Sequence, residues 1–194
     1  MKTLEHPPAA QRSPAASWYS TILPPALVLA VLIIAAGIEA GLRLPGVLLL
    51  LVGIVVVPGV IYKGTKGWFR RRGISDRWRA ATVAALMLAG AVVCYLLPVA
   101  SPVPQTVTGL LLGNLGLVFF RRWLNVSAHV SVLTFGVLWM TATYGAGWAW
   151  LLILSPLMIL SRVSLGEHSL REALSGAALG LATFCCFLAV MTWS

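Results

Sequence analysis

Apolar residues run almost unbroken over 22–38, 44–62, 80–98, 104–120, 129–143, 147–160 and 172–193, with short polar segments between them. The runs do not alternate polar and apolar positions, as the strands of a membrane β-barrel would. A helical crossing of the hydrocarbon takes roughly 20 residues. Inside hydrocarbon every backbone N–H and C=O must be satisfied within the element, which leaves the helix as the reasonable one. The pattern therefore predicts an all-α, polytopic transmembrane bundle of about six or seven spans. Several runs are short and carry Pro or Gly. The first two read as two spans, with one span plus a broken segment as the alternative.

Composition narrows the class. The 194 residues are 59% hydrophobic and 10% charged, with a mean hydropathy of +0.92, which excludes an ordinary soluble domain. Residues 1–20 mix proline, alanine and a few polar groups and read as a flexible lead-in. Their basic start is weak and the apolar run begins late, unlike a signal peptide. Residues 21–194 then form a single transmembrane domain. Cys94, Cys185 and Cys186 fall inside apolar runs, as small buried hydrophobes do, and not in a disulfide framework.

The formal charge of +9 changes the picture through its placement. In a soluble protein it would suggest nucleic acid; here the cations sit in short segments between apolar runs. Anionic phospholipids and topology account for them, with no nucleic-acid partner. Segment 63–79 holds Lys63, Lys66, Arg70, Arg71, Arg72, Arg77 and Arg79; 121–128 holds Arg121 and Arg122; 161–171 holds Arg162 and Arg171. The intervening segments 39–43, 99–103 and 144–146 carry only Glu39 and Arg43 as charges. If the spans alternate, every basic segment shares one face. The positive-inside rule assigns that face to the cytoplasm of a multi-pass cell-membrane protein.

Three patches on that face carry candidate chemistry. The first is Ser161-Arg162-x5-His168-x3-Glu172. His168 and Glu172 are one helical turn apart, so a carboxylate can hold one imidazole nitrogen and leave the other as a nucleophile. Arg162 suits phosphate oxygens through its fork. The second is Asn125-Val126-Ser127-Ala128-His129. It offers a helix cap, a helix N-terminus that favours anions, and an imidazole placed as general acid. The third is the loop from Lys63 to Arg79, where Lys63-x6-Arg70 spaces two cations for a folded-back anion site and Asp76, Arg77 and Arg79 follow. Each patch alone reads as readily as an interfacial histidine, a capping serine or a topology signal. Tyr62, Trp68 and Trp78 fit an interfacial aromatic belt.

With these residues in hand, the chain resembles the type 2 phosphatidic acid phosphatase superfamily of membrane lipid phosphatases. Its signatures are Lys-x6-Arg-Pro, Pro-Ser-Gly-His and Ser-Arg-x5-His-x3-Asp. Ser161, Arg162, His168 and Glu172 match the third, with Glu in place of Asp. Ser127-Ala128-His129 is similar to the second, with Val126 and Ala128 where Pro and Gly are usual. Lys63 and Arg70 have the spacing of the first, but Arg71 follows in place of Pro. The resemblance covers about residues 60–194 and implies a lipid-phosphatase core there. It further implies that His168 attacks phosphorus to form a phosphohistidine, Glu172 orients His168, and His129 protonates the leaving alkoxide. Arg162, Ser127, Lys63 and Arg70 would surround the phosphate, with Asp76, Arg77 or Arg79 as alternatives. No metal or other cofactor is implied, in keeping with only five acidic residues. The substrate would be a polyprenyl phosphate or diphosphate, a lipid-linked phosphosugar, phosphatidylglycerophosphate or phosphatidic acid.

Two rival classes stay open. A small transporter or channel would place His129 and Arg162 along an ion path, although the inner halves of the runs carry almost no ionisable residue. A catalytically silent scaffold would use the basic face to bind lipid. Gly109-x3-Gly113 and Gly176-x3-Gly180 permit close helix packing within the chain or between subunits of a homo-oligomer.

Overall fold

Each apolar run becomes helix. The computed structural model describes residues 23–73, 76–97, 99–120 and 122–193, with backbone alone at 76, 77, 79 and 80; the expected lead-in over 1–20 lies outside the described residues. The helices are α1 (Pro25–Glu39), α2 (Leu44–Arg71), α3 (Asp76–Leu96), α4 (Val103–Phe120), α5 (Ala128–Tyr144), α6 (Leu154–Ser164) and α7 (Leu170–Trp193). A 3-10 stretch, Ala146–Ile153, leads into α6. No strand occurs among the described residues. Four segments are long and apolar enough to cross a membrane: Leu44–Arg71, Val103–Phe120, Ala146–Ser164 and Leu170–Trp193. The apolar helices Pro25–Glu39 and Ala81–Leu96 are shorter.

Two local expectations change. The loop expected over 63–79 is helical through Arg71, and helix resumes at Asp76. Lys and Arg are good helix formers, and no proline interrupts the segment, so α2 continues past its apolar stretch. Within α2, Pro58 has no N–H for the carbonyl of Ile54. The turn just before it widens, and Val57 N–H bonds the carbonyl of Val52 across a π-helical stretch, Val52–Val56. The run 147–160 begins as 3-10 helix instead of α-helix. Pro156 can sit only near the start of an α-helix, where its missing N–H is not needed, and α6 accordingly begins at Leu154.

Short connections make consecutive helices antiparallel neighbours. They return the basic segments to one end of the bundle. α5 is the central helix; it packs against α1, α6 and α7, and most extensively against α7. One core cluster joins Leu32 and Ile33 of α1, Val103 and Val107 of α4, Phe135 and Trp139 of α5, and Phe187 of α7. A second joins Val130, Leu133 and Val137 of α5 to Met158 of α6 and Ala173 of α7. Buried polar groups tie helices together: Trp139 Nε1 donates to Thr106 Oγ1 at 2.9 Å, and the hydroxyls of Thr134 and Ser155 meet at 2.6 Å.

The two glycine pairs noticed in the sequence both work within the chain. Gly109 faces Phe135 and Phe187, and Gly113 faces Thr183. Gly176 and Gly180 let α7 approach the backbone of α5 at the carbonyls of Ser127 and Ser131. The outer surface stays apolar, with Leu49, Val60, Leu96 and Leu160 exposed, as a lipid-facing surface requires. At the basic end the exposed Trp68 and Trp123 carry guanidinium groups over their rings, Arg72 at 4.5 Å and Arg122 at 3.7 Å.

Candidate active site

Three helix ends meet at the basic rim: the start of α5, the end of α6 and the start of α7. Ser127 is the N-cap of α5, with extended backbone (φ −72°, ψ 109°), yet its side chain caps nothing. Its backbone N–H instead donates to the carbonyl of Glu172 in the first turn of α7, at 3.3 Å. The Ser127 hydroxyl is fully buried and has no hydrogen-bond partner among the described residues. A Cβ on Gly176 would stand 2.7 Å from the Ser127 carbonyl oxygen, so the close approach of α7 depends on glycine there. His129, half-buried, lies one residue into α5.

The turn from α6 to α7 brings in the other motif. Gly166 at φ 68° reverses the chain, a conformation costly for other residues. The N–H groups of Glu167 and His168 then both reach the carbonyl of Arg162, at 3.2 and 3.3 Å. Ser161 and Arg162, in the last turn of α6, are buried. The Arg162 guanidinium pairs through Nη1 with Oε2 of Glu167.

His168 Nδ1 lies 3.4 Å from Glu172 Oε2, with an alignment that falls short of a hydrogen bond. Nε2 is thereby the imidazole nitrogen left for chemistry. The same carboxylate oxygen accepts from the backbone N–H of Ser169 at 2.9 Å, and Ser169 Oγ accepts from the N–H of Glu172 at 3.3 Å. This is a reciprocal capping box for α7. Ser-x-x-Glu ahead of an apolar run is a helix-start signal readable in the sequence, whereas only the fold brings Glu167 onto Arg162.

The electrostatics register the convergence: Arg162, Glu167 and His168 all act on the imidazole of His129.

Of the third patch, Lys63 and Arg70 are exposed on the last part of α2, Val57–Arg71, which packs mainly against α3. Asp76 starts α3 and Arg77 follows it, but their side chains lie outside the described residues. No group of three or more His, Cys, Asp or Glu suited to a metal stands among the described residues. What the rim offers is a helix N-terminus, a buried guanidinium, an orphaned buried hydroxyl and two imidazoles, one against a carboxylate. That set matches the needs of a tetrahedral oxyanion.

Compared with protein-family models, curated proteins and solved structures, the chain matches none.

Proposed function

We propose that this chain is an integral-membrane phosphatase that hydrolyses a phosphorylated lipid through a phosphohistidine. The observation that carries it is the buried, unpartnered Ser127 hydroxyl, at the start of α5 and on the same rim as buried Arg162 and the two histidines. An unsatisfied buried polar group costs about 1–3 kcal/mol, and a phosphate oxygen would relieve it.

In this mechanism Arg162 and Ser127 hold the non-bridging oxygens while His168 Nε2 attacks phosphorus in line. The phosphorus–oxygen bond to the lipid breaks, and the leaving alkoxide takes a proton from His129. Water next attacks the phosphohistidine and gives its proton to His129. The phosphorus–nitrogen bond breaks and inorganic phosphate leaves. Glu172 stabilises the imidazolium form of His168. Every step uses side chains alone, and the activity is metal-independent.

An apolar groove of about 380 Å³ between α5, α6 and α7, lined by Val137, Leu138, Leu152, Pro156, Ala177 and Leu181, supports a substrate with a lipid tail. Polyprenyl-linked phosphates or phosphosugars, phosphatidylglycerophosphate and phosphatidic acid all fit. The finer architecture belongs to the same proposal: six or seven crossings, a type 2 phosphatidic acid phosphatase-like core over about 60–194, and a cytoplasmic catalytic face in the cell membrane. Lys63, Arg70, Arg77 and Asp76 stand as the candidates to complete the phosphate site.

The test is phosphate release from a panel of lipid phosphates by purified protein in detergent. His168→Ala and His129→Ala should each abolish release, and EDTA should leave it unchanged. Full release by His168→Ala protein would sink the mechanism. One observation favours a catalytically silent lipid-binding scaffold: the Glu172 carboxylate already serves the α7 cap. That reading predicts tight binding of lipid phosphate with no release by the wild type.

A further inference from the structure

Glu167 sits in the α6–α7 turn, beside His168 in sequence and against Arg162 in space. The two partners of this pair differ in freedom. The Arg162 side chain is 11% exposed in the last turn of α6, whereas that of Glu167 is 48% exposed on the connecting turn. A guanidinium cannot shed its charge, and a buried one needs an anion beside it. A carboxylate and a phosphoryl group present similar oxygen pairs to its fork. Both would therefore use the same donors, and Glu167 can leave them for water at small cost.

Resting on the phosphate-site reading above, we infer that Glu167 is a displaceable anion that guards Arg162 and keeps weakly held phosphodiester lipids out of the site. A phosphomonoester carries about −1.5 to −2 charges at neutral pH, so exchanging it for a carboxylate gains electrostatic energy at Arg162. A phosphodiester head group carries one charge, as Glu167 does, and the exchange gains nothing. Phosphodiesters make up the anionic lipid around any such protein, so a site built on an unguarded arginine would fill with them. The guard weakens every anion by the same factor, and the larger charge of the monoester decides which one still binds.

The experiment is calorimetric titration of the full-length protein in detergent, with Glu167→Gln and Arg162→Gln variants alongside. The probes are dihexanoyl phosphatidic acid, dihexanoyl phosphatidylglycerol and inorganic phosphate. The wild type should bind the monoester and inorganic phosphate and bind the diester much more weakly. Glu167→Gln should bind the diester about fivefold tighter than the wild type does, the weight of a partly exposed ion pair. It should also bind inorganic phosphate tighter, which separates head-group chemistry from tail binding. Arg162→Gln should bind none of them.

Unchanged affinities for the diester and inorganic phosphate in a helical, folded Glu167→Gln protein overturn the guard role and leave the phosphate site standing. Wild-type binding by Arg162→Gln overturns the site itself. A gain confined to the lipid probes places Glu167 against the tail or glycerol and overturns the inference too. The wild type gives a check free of any variant: the Glu167 carboxyl carbon signal should shift when inorganic phosphate saturates the protein. A signal that does not move overturns the displacement.

Discussion

The backbone N–H of Ser127 donates to the backbone carbonyl of Glu172 at 3.3 Å, tying the start of one helix to the first turn of another. Helix-start N–H groups are usually satisfied by a cap or by water. Here one of them locks α5 to α7, and so holds His129 and His168 on one rim. Gly176 makes that bond attainable, because α7 approaches α5 too closely there for a side chain.

Gly176→Ala should therefore loosen the site through packing alone. Its Cβ would meet the Ser127 carbonyl oxygen at 2.7 Å, and backbone cannot rotate away. Overpacking of this kind costs roughly 1–3 kcal/mol. Thermal unfolding in detergent should show the loss, together with slower phosphate release. A variant as stable and active as the wild type would mean that the helices do not meet at this point.

Ser127→Ala should separate function from stability. The hydroxyl makes no cap bond and has no partner among the described residues. Its removal should thus spare the usual N-cap loss of about 1 kcal/mol. Release of phosphate should nonetheless fall roughly 100-fold if the hydroxyl holds a developing oxyanion. Lost stability with unchanged release would reverse the assignment.

Glu172 has two contacts, and two variants divide them. Glu172→Gln keeps a side chain that can close the capping box but removes the charge beside His168. It should keep most of the stability and lose activity. Ser169→Ala keeps the charge and loses the cap, at about 0.5–2 kcal/mol, with activity largely retained. If activity simply follows stability in both proteins, Glu172 is a cap and nothing more.

Much of the helix layout was legible because hydrophobic runs report a local property, the length of chain that avoids water. Every run became helix. The charge of segment 63–71 suggests a loop, although Lys and Arg extend a helix readily once it leaves the apolar zone. The capping role of Glu172 is legible in Ser169-x-x-Glu172. Glu167 was not legible at all, since its contact depends on the turn at Gly166.

By itself the sequence determined an all-helical, membrane-suited chain with its cations gathered towards one end and two histidines beside Ser and Arg. The tertiary structure decided which of these meet. Ser127, His129, Arg162, His168 and Glu172 share the rim of α5, α6 and α7, while Lys63 and Arg70 are exposed on α2. The reason is physical. Periodicity and charge are written along one chain segment, whereas helix pairing is decided by surface complementarity between distant segments, as where Gly176 admits the Ser127 carbonyl.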